Sequence, residues 1–426
     1  MSTNASSSTV KGKAVVIGGG VIGAACAHYL RRAGWQVAII DQGRFGAACS
    51  ASNCGLVCPS HILPLAEPGA IQAALKAMMS RDSPFSIKPR LDFRLWKWLL
   101  AFARRCNERD LLASGRAIQP LLDASMTLYQ ELIAAEGFDC EWETNGLLYA
   151  YKDKAAFEGY AKTERLLAER FGCPGRKIEA NALAEFEPAL KPGLAGGWFY
   201  DHDAQVRPDR LLKAWRASLE ASGVEILEHR EWTGFAVDGR SDQAARALTA
   251  QGEDIAADAF IVAAGSWTPR FASALGCRIP IQPGKGYSIT MPRPEICPRV
   301  PLIFPETRVA VSPFQSGYRL GSTMEFAGYD DTLNLNRLQL LKDGAEPYLR
   351  EPYRDPIEER WYGWRPMTTN SVPIIGRSPK LKNVVIAAGH NMLGLSMAPG
   401  TGKLAAQLLS GETPDLDPTP YRATRF

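Results

Sequence analysis

The sequence predicts an α/β chain. A doubly wound, discontinuous parallel-sheet domain carries a second, α+β domain with a mainly antiparallel sheet. Three observations predict this. The run Ala14-Val-Val-Ile-Gly-Gly-Gly-Val-Ile-Gly23 reads as a buried strand entering a glycine turn, followed by an apolar helix and a second strand ending at Asp41. Two more buried runs, Ala259-Phe-Ile-Val-Ala-Ala-Gly265 and Val384-Val-Ile-Ala-Ala-Gly389, also end in small residues and glycine. The intervening tracts change pattern, with helical periodicity from about Asp92 to Glu136, strand-like runs at Gly146–Tyr151 and Gly197–Tyr200, and strands again from Gly286 to Ser322. At 426 residues the chain is too long for one small core.

The first βαβ unit has the Rossmann-type fingerprint. Gly18 permits the tight turn, Gly20 lets backbone approach a pyrophosphate, and Gly23 lets the helix pack on the strand. A helix from about Val21 to Ala33 then aims the unpaired N–H groups of its first residues, Val21 and Ile22, at the phosphates, and Gly34 ends it. Asp41 stands where an acidic side chain binds an adenosine ribose, which argues against a 2′-phosphate. The fingerprint alone does not separate NAD from FAD.

A helix near Leu211–Ala221 leading into Val224-Glu-Ile-Leu returns the chain to this fold, and a helix from about Met397 to Leu409 closes it. The expected division assigns residues 12–75, 200–275 and 362–426 to the dinucleotide-binding domain, and 76–199 and 276–361 to the substrate domain. Residues 1–11 form a disordered tail rich in Ser and Thr. The segment Leu91–Arg105 is apolar almost all round with scattered Lys and Arg. It reads as a buried helix of the second domain, with peripheral contact on a membrane surface as the alternative.

Composition is that of an ordinary globular protein, with 46% hydrophobic and 22% charged residues. A net charge of +4 without a basic run gives no reason to expect nucleic acid. No run reaches the ~18–20 apolar residues of a membrane span, and the leader lacks the apolar core of a secretory signal. Nine cysteines scattered along the chain suggest reduced thiols, so the expected location is cytoplasmic, with peripheral placement on the inner membrane left open. Cys49, Cys54 and Cys58 lack metal-site spacing, and no metal is expected. His61 and His202 have no recognisable catalytic partner.

Several further motifs occur in order. Cys49-Ser-Ala-Ser-Asn-Cys-Gly55 follows the first unit, Ala263-Ala-Gly-Ser-Trp267 ends the middle strand, and Lys285-Gly-Tyr-Ser288 opens a sheet. Gly363-Trp-Arg-Pro precedes Pro373-Ile-Ile-Gly376, and Ala388-Gly-His-Asn-Met-Leu-Gly-Leu-Ser-Met397 precedes the closing helix. From Ala14 to about Leu409 the chain resembles the FAD-dependent D-amino-acid oxidase and glycine oxidase superfamily, most closely its bacterial D-amino-acid dehydrogenases.

That resemblance implies an FAD cofactor and a Rossmann-like FAD-binding domain. It implies cofactor contacts at Ser50, Asn53, Gly55 and Leu56, at Gly265 and Trp267, and at Gly389, His390, Leu393, Gly394, Leu395 and Ser396. It makes Arg365 the clamp for a substrate carboxylate, a task suited to the planar fork of a guanidinium. Tyr287 and Tyr329 are candidates for the substrate cavity or equally for the sheet edge. Glycine oxidases carry an arginine where this chain has Met392, so a second clamp of that kind is absent.

The implied activity is oxidative deamination of a D-amino acid. Hydride passes from Cα to flavin, the imino acid hydrolyses to a 2-oxo acid, and electrons go on to a quinone or another electron-transfer partner. A D-imino acid substrate, as in D-proline or cis-4-hydroxy-D-proline dehydrogenases, is the alternative, with glycine or sarcosine after it. A non-catalytic flavin-carrying subunit is the rival of another class, and an intact Arg365 speaks against it.

Overall fold

The computed structural model describes residues 11–78, 83–88, 90–239 and 241–426. Apart from Lys11, the expected N-terminal tail lies outside these residues. Strand β1 (Lys13–Ile17) is flanked by β2 (Gln36–Ile40) and then β3 (Glu225–Leu227) on one side, and by β4 (Ala259–Val262) on the other. Two later strands of the chain, β8 (Ile374–Arg377) and β9 (Val384–Ala388), complete a six-stranded sheet in the order β8-β9-β4-β1-β2-β3. All neighbours are parallel except β8 and β9.

Period-two alternation decides what each face meets. Ala14 and Val16 pack with α1 (Val21–Arg32) and with the closing helix α5 (Ala398–Ser410). Val15 and Ile17 pack on the opposite face against Trp232, Ala244 and Ala247 of a small antiparallel sheet. A Cβ at Gly402 would lie 2.5 Å from the backbone of Ala25, so α1 and α5 touch backbone to backbone.

The second sheet has nine strands. Its edge is built from β5 (Gln282–Met291), β6 (Tyr318–Phe326) and β7 (Glu359–Met367), with β5 in the middle and antiparallel to both. The strand Phe85–Ile87 joins the end of β6. This sheet has its own core, including Tyr287, Ile289, Leu320 and Leu341.

The helical tract expected from 92 to 136 is two helices, α3 (Phe93–Arg105) and α4 (Glu108–Glu136). Asn107 separates them, its side chain accepting from the N–H of Asp110 at 3.0 Å as an N-cap. The buried side of α4 (Ile118, Leu121, Tyr129) joins the core of the six-stranded sheet. The expected boundary at residue 362 falls inside β7. The helix α3 was expected to be buried, and here the structure corrects the reading: only Leu95 and Trp98 are buried, while Phe93, Trp96 and Leu100 are exposed. One side of α3 meets Phe326 and Met367 through Leu95 and Trp98, with Leu99 and Phe102 half-buried beside them, while Phe93, Trp96 and Leu100 lie on the other side of the helix. Among the described residues no helix is long and apolar enough to cross a membrane.

Candidate active site

A cavity of about 1140 Å³ runs from the glycine turn after β1 to Arg365 on β7. That exceeds the ~300–1,000 Å³ of ordinary small-molecule pockets and leaves room for a dinucleotide and a small substrate together.

The β1 end is made of backbone. Gly18 has φ +109°, and a Cβ there would meet the Ala263 carbonyl oxygen at 2.5 Å. At Gly23 a Cβ would lie 1.8 Å from the Gly18 carbonyl oxygen, so no side chain fits between helix and strand. The Ser50 hydroxyl accepts from the Val21 N–H at 3.0 Å, which ties the 49–55 loop to the start of α1. Asp41 accepts from the N–H groups of Gly19 and Gly43, both at 2.7 Å, and burial raises its pKa against the pull of those donors. It braces the turn and also stands in the cavity wall.

The 49–55 loop is fastened to the nine-stranded sheet by groups that sequence reasoning missed. Ser288 donates to the Ser52 carbonyl at 2.7 Å, Ser312 donates to the Cys54 carbonyl, and the buried Arg319 donates to the Asn53 carbonyl at 2.7 Å. Within the loop, Asn53 donates to the Ser50 carbonyl and accepts from the Gly55 N–H. Gly55 has φ +68°. Opposite, the Ser396 hydroxyl accepts from the Cys58 N–H at 3.2 Å and donates to the Leu56 carbonyl at 3.1 Å, which joins the loop to the turn before α5.

That turn is braced from within. His390 is buried with Nε2 3.0 Å from the Thr401 hydroxyl, and desolvation pulls its pKa down to about 3, so the ring is neutral. The Leu395 carbonyl accepts from Tyr129, and Gly389 has φ +80°. Asn391, another residue the sequence reading passed over, has φ +54°. Its side chain accepts from the Thr368 N–H and donates to the Thr368 hydroxyl and the Gly389 carbonyl. An Asn directly after Gly-His was the available signal, since Asn tolerates that backbone region.

At the far end Arg365 pairs across from Gly284, and its guanidinium lies against Gly286 of β5, where a Cβ would come within 2.3–2.4 Å of it. It donates to the Thr323 carbonyl at 2.8 Å and to the Ser322 carbonyl at 3.4 Å. Those two residues have φ +48° and +122° at a register shift between β5 and β6. Positive φ at a β-branched threonine is strained backbone, held here so that two carbonyls face one guanidinium. Burial lowers the Arg365 pKa, and the nearest titratable groups are Cys49 and Cys54. Burial also pushes the Cys49 thiol up to about 11 and raises that of Cys54, so both are neutral. Among the described residues no carboxylate neutralises Arg365.

The other predicted residues divide as follows. Gly20, Val21, Ile22, Ser50, Asn53, Leu56, Gly265, Trp267, His390, Leu393, Gly394, Leu395 and Ser396 stand in the cavity wall, while Gly23, Gly55 and Gly389 do not. Tyr287 is in the wall, but its hydroxyl is committed to Glu325 at 2.6 Å. Tyr329 is not in the wall. It is partly exposed, its hydroxyl donates to the Ser266 carbonyl, and its ring stacks on Trp267. Of the two readings of Tyr329, the one that it lines the cavity is corrected, because Trp267 and Trp364 occupy the inner position and leave Tyr329 at the rim.

The fold and cavity define a protein with a Rossmann-type glycine turn and an unneutralised cation facing the same space. The chain belongs to the FAD dependent oxidoreductase family, whose model (DAO) matches residues 13–408. It is 33% identical over 408 residues to a D-amino acid dehydrogenase of Paramagnetospirillum magneticum, covering 94% of this chain and 95% of that one. Its fold is similar to glycine oxidase from Bacillus cereus, with TM-score 0.76, 19% identity and coverage of 98% and 99% of the two chains. It is also similar to L-proline dehydrogenase from P. horikoshii, with TM-score 0.70, 20% identity and coverage of 97% of each.

FAD is the cofactor of this family, and the walls fit it. The glycine turn leaves backbone bare at one end. Buried polar atoms without partners among the described residues (Ser266 Oγ, Thr323 Oγ1, Trp364 Nε1) belong to residues of the same wall.

Proposed function

We propose that this enzyme oxidises D-amino acids, converting each to its imino acid, which water hydrolyses to a 2-oxo acid and ammonia. The observation that carries the reading is Arg365, a desolvated cation with no carboxylate partner in the described residues, in the same cavity as the dinucleotide cradle. A half-buried cation in a cavity wall without an anion is costly, and a substrate carboxylate satisfies it with a two-pronged, charge-assisted bond. The 33% identity to a D-amino acid dehydrogenase supports the same choice.

FAD, when bound, supplies the two-electron chemistry by accepting hydride from the substrate Cα. The chain would hold it with Gly18, Gly20, Val21 and Ile22 at the pyrophosphate and Asp41 and Gly265 toward the adenosine. Ser50, Asn53, Leu56 and the 389–396 turn would lie along the flavin. The N-terminus of α5 directs its positive end toward that turn and favours negative charge developing there. Arg365 fixes the carboxylate, Gly286 gives its guanidinium room, and the 322–323 carbonyls set its angle. The amine then loses its proton to water, and no side-chain base is required. Tyr287 serves as wall and Tyr329 as rim, and the division into cofactor and substrate domains follows the two sheets. Electrons leave to a quinone-type acceptor, with the protein peripheral on a membrane.

Anaerobic mixing with matched D- and L-amino acids tests this reading. D-forms should bleach the flavin absorbance and L-forms should leave it. Equal bleaching by both enantiomers, or by neither, overturns the proposal.

A further inference from the structure

One stretch of the cavity wall belongs to neither the glycine cradle nor the Arg365 clamp. Along the nine-stranded sheet Gly321 lies opposite Ala310, Ala310 opposite Ile303, and Ile303 opposite Tyr149. Residues in direct register share a face, and Ala310, Ile303 and Tyr149 all stand in the cavity wall. The row starts beside Ser322, whose carbonyl accepts from Arg365. It crosses three strand spacings, about 14 Å, before it reaches Tyr149. Leu63 and Leu65, with Ile71 and Leu75 of α2 (Ala70–Met78), keep more of the wall apolar.

At the end of the row two polar groups stand without partners. The His61 imidazole meets the Tyr149 ring edge to face, with centroids 6.0 Å apart, and both residues line the cavity. Among the described residues no hydrogen bond occupies a ring nitrogen of His61 or the Tyr149 hydroxyl. Both side chains are held in place. Asp203 accepts from the N–H and the hydroxyl of Ser60 at 3.0 and 2.5 Å, and the backbone N–H of His61 donates to the Cys58 carbonyl. Tyr149 stacks on Tyr160 and packs edge-on against Tyr200. Burial pulls the His61 pKa down to about 4 and raises that of Tyr149, so both groups are neutral. Glu67 and Arg308, also in the wall, lie exposed at its edge and attract each other.

We propose that His61 and Tyr149 determine substrate specificity as the far end of a side-chain subsite, one that takes an extended, uncharged side chain ending in a carboxamide or hydroxyl. The inference rests on the proposed carboxylate clamp at Arg365, and it narrows the substrate class of the proposed oxidation. With the carboxylate on Arg365, Ala310 and Ile303 lie under the methylenes and the polar tip reaches His61 and Tyr149. A neutral imidazole offers one N–H and one lone pair, and the phenol adds a hydroxyl, so the donor and the acceptor of a carboxamide are both matched. An apolar tip leaves two desolvated polar groups unpaired, and an ionised tip brings its charge against two neutral groups. Glycine fills none of this space.

The test uses the FAD-loaded, full-length protein in two arms. In the first, carboxylates that lack an amine are titrated against the oxidised enzyme and binding is read from the flavin absorbance. Glutaramate should bind at least about tenfold more tightly than 5-methylhexanoate, which has the same shape without the polar atoms, and than glutarate, which adds a charge. In the second arm kcat/KM for D-glutamine should exceed that for D-methionine and D-glutamate by a similar margin, mainly through KM. His61→Phe and Tyr149→Phe keep the ring packing, and each should abolish most of the preference in both arms with FAD content and melting temperature near wild type. His61→Gln, which returns a neutral donor and acceptor, should recover part of it. Equal affinity for the three carboxylates, or variants that keep the wild-type preference, overturns the inference and leaves D-amino acid oxidation standing. If no D-amino acid reduces the flavin yet the carboxylates rank as stated, the oxidation proposal fails and the subsite stands.

Discussion

At the end of the cavity bounded by Gly18 and Gly20 the wall is backbone, whereas at the end bounded by Arg365 it is a side chain placed by three strands. The first end derives its shape from one contiguous run, because strand, turn and helix follow each other within Lys13–Arg32. The second needs β5, β6 and β7 in register: Gly286 to clear space, Ser322 and Thr323 to offer carbonyls, Arg365 to occupy the gap. Backbone recognition tolerates no added atom, while side-chain recognition tolerates small displacement at a graded loss. The two ends should therefore fail differently.

The largest effect is expected at the backbone end. Gly23→Ala puts a methyl 1.8 Å from the Gly18 carbonyl oxygen, and neither the helix nor the strand can yield, both being buried. Soluble yield and FAD stoichiometry should both collapse. A yellow, folded Gly23→Ala protein would break the contrast.

At the side-chain end, Gly286→Ala places its methyl within 2.3–2.4 Å of the Arg365 guanidinium, which can swing aside. The protein should remain yellow with a near-normal melting temperature, while kcat/KM for the D-amino acid falls by about 10- to 100-fold through misorientation. Steady-state kinetics beside a flavin-content assay check this. Loss of FAD would mean the two ends are not separable.

The smallest effects are in pH dependence, and two buried groups carry opposite signs. His390, beside the flavin turn, has its folded pKa depressed to about 3 from 6.5, so the unfolded chain binds more protons between those values and stability falls as pH drops. Asp203 is buried with Ser60 donating to both its oxygens, and desolvation raises it to about 7 from 3.8. The folded state holds that proton longer, so its contribution is fully present below about pH 4 and is lost as pH rises through about 7. Denaturant titrations of His390→Asn and Asp203→Asn should differ from wild type in pH slope by ~1–3 kcal/mol across those windows, in opposite directions. Parallel pH profiles would refute the assignment.

The same contrast governs what the sequence made legible. Gly18, Gly20, Gly23 and Asp41 announce themselves by spacing because the turn they build is local. Arg365 stood out only inside a resembling segment. Its partners at Gly286 and Ser322–Thr323 gave no signal, since they meet across strands 36 and more residues apart in the chain. The Arg319 brace, which reaches across to Asn53, was hidden for the same reason, whereas Asn391 carried a local signal in its place after Gly-His. In the second sheet the helix Lys154–Phe171 went unread, because only Phe157, Leu167 and Phe171 are buried along its 18 residues and the apolar period is weak. The helix α3 misleads in the other direction: its apolar content reads as burial but belongs largely to an exposed face.

The central claim is that Arg365 serves substrate and not fold. The direct measurement is anaerobic rapid mixing of wild type, Arg365→Lys and Arg365→Ala with a D-amino acid, following flavin reduction. Truncating one partner of a desolvated charge pair costs about 2–5 kcal/mol. At ~1.4 kcal/mol per decade, Arg365→Ala should lower the second-order rate at least about a hundredfold. Arg365→Lys, which keeps the charge without the fork, should fall between the two. FAD content and melting temperature should stay near wild type in both variants. Normal reduction by Arg365→Ala, or its loss of FAD and unfolding, would contradict the account and make Arg365 a structural residue.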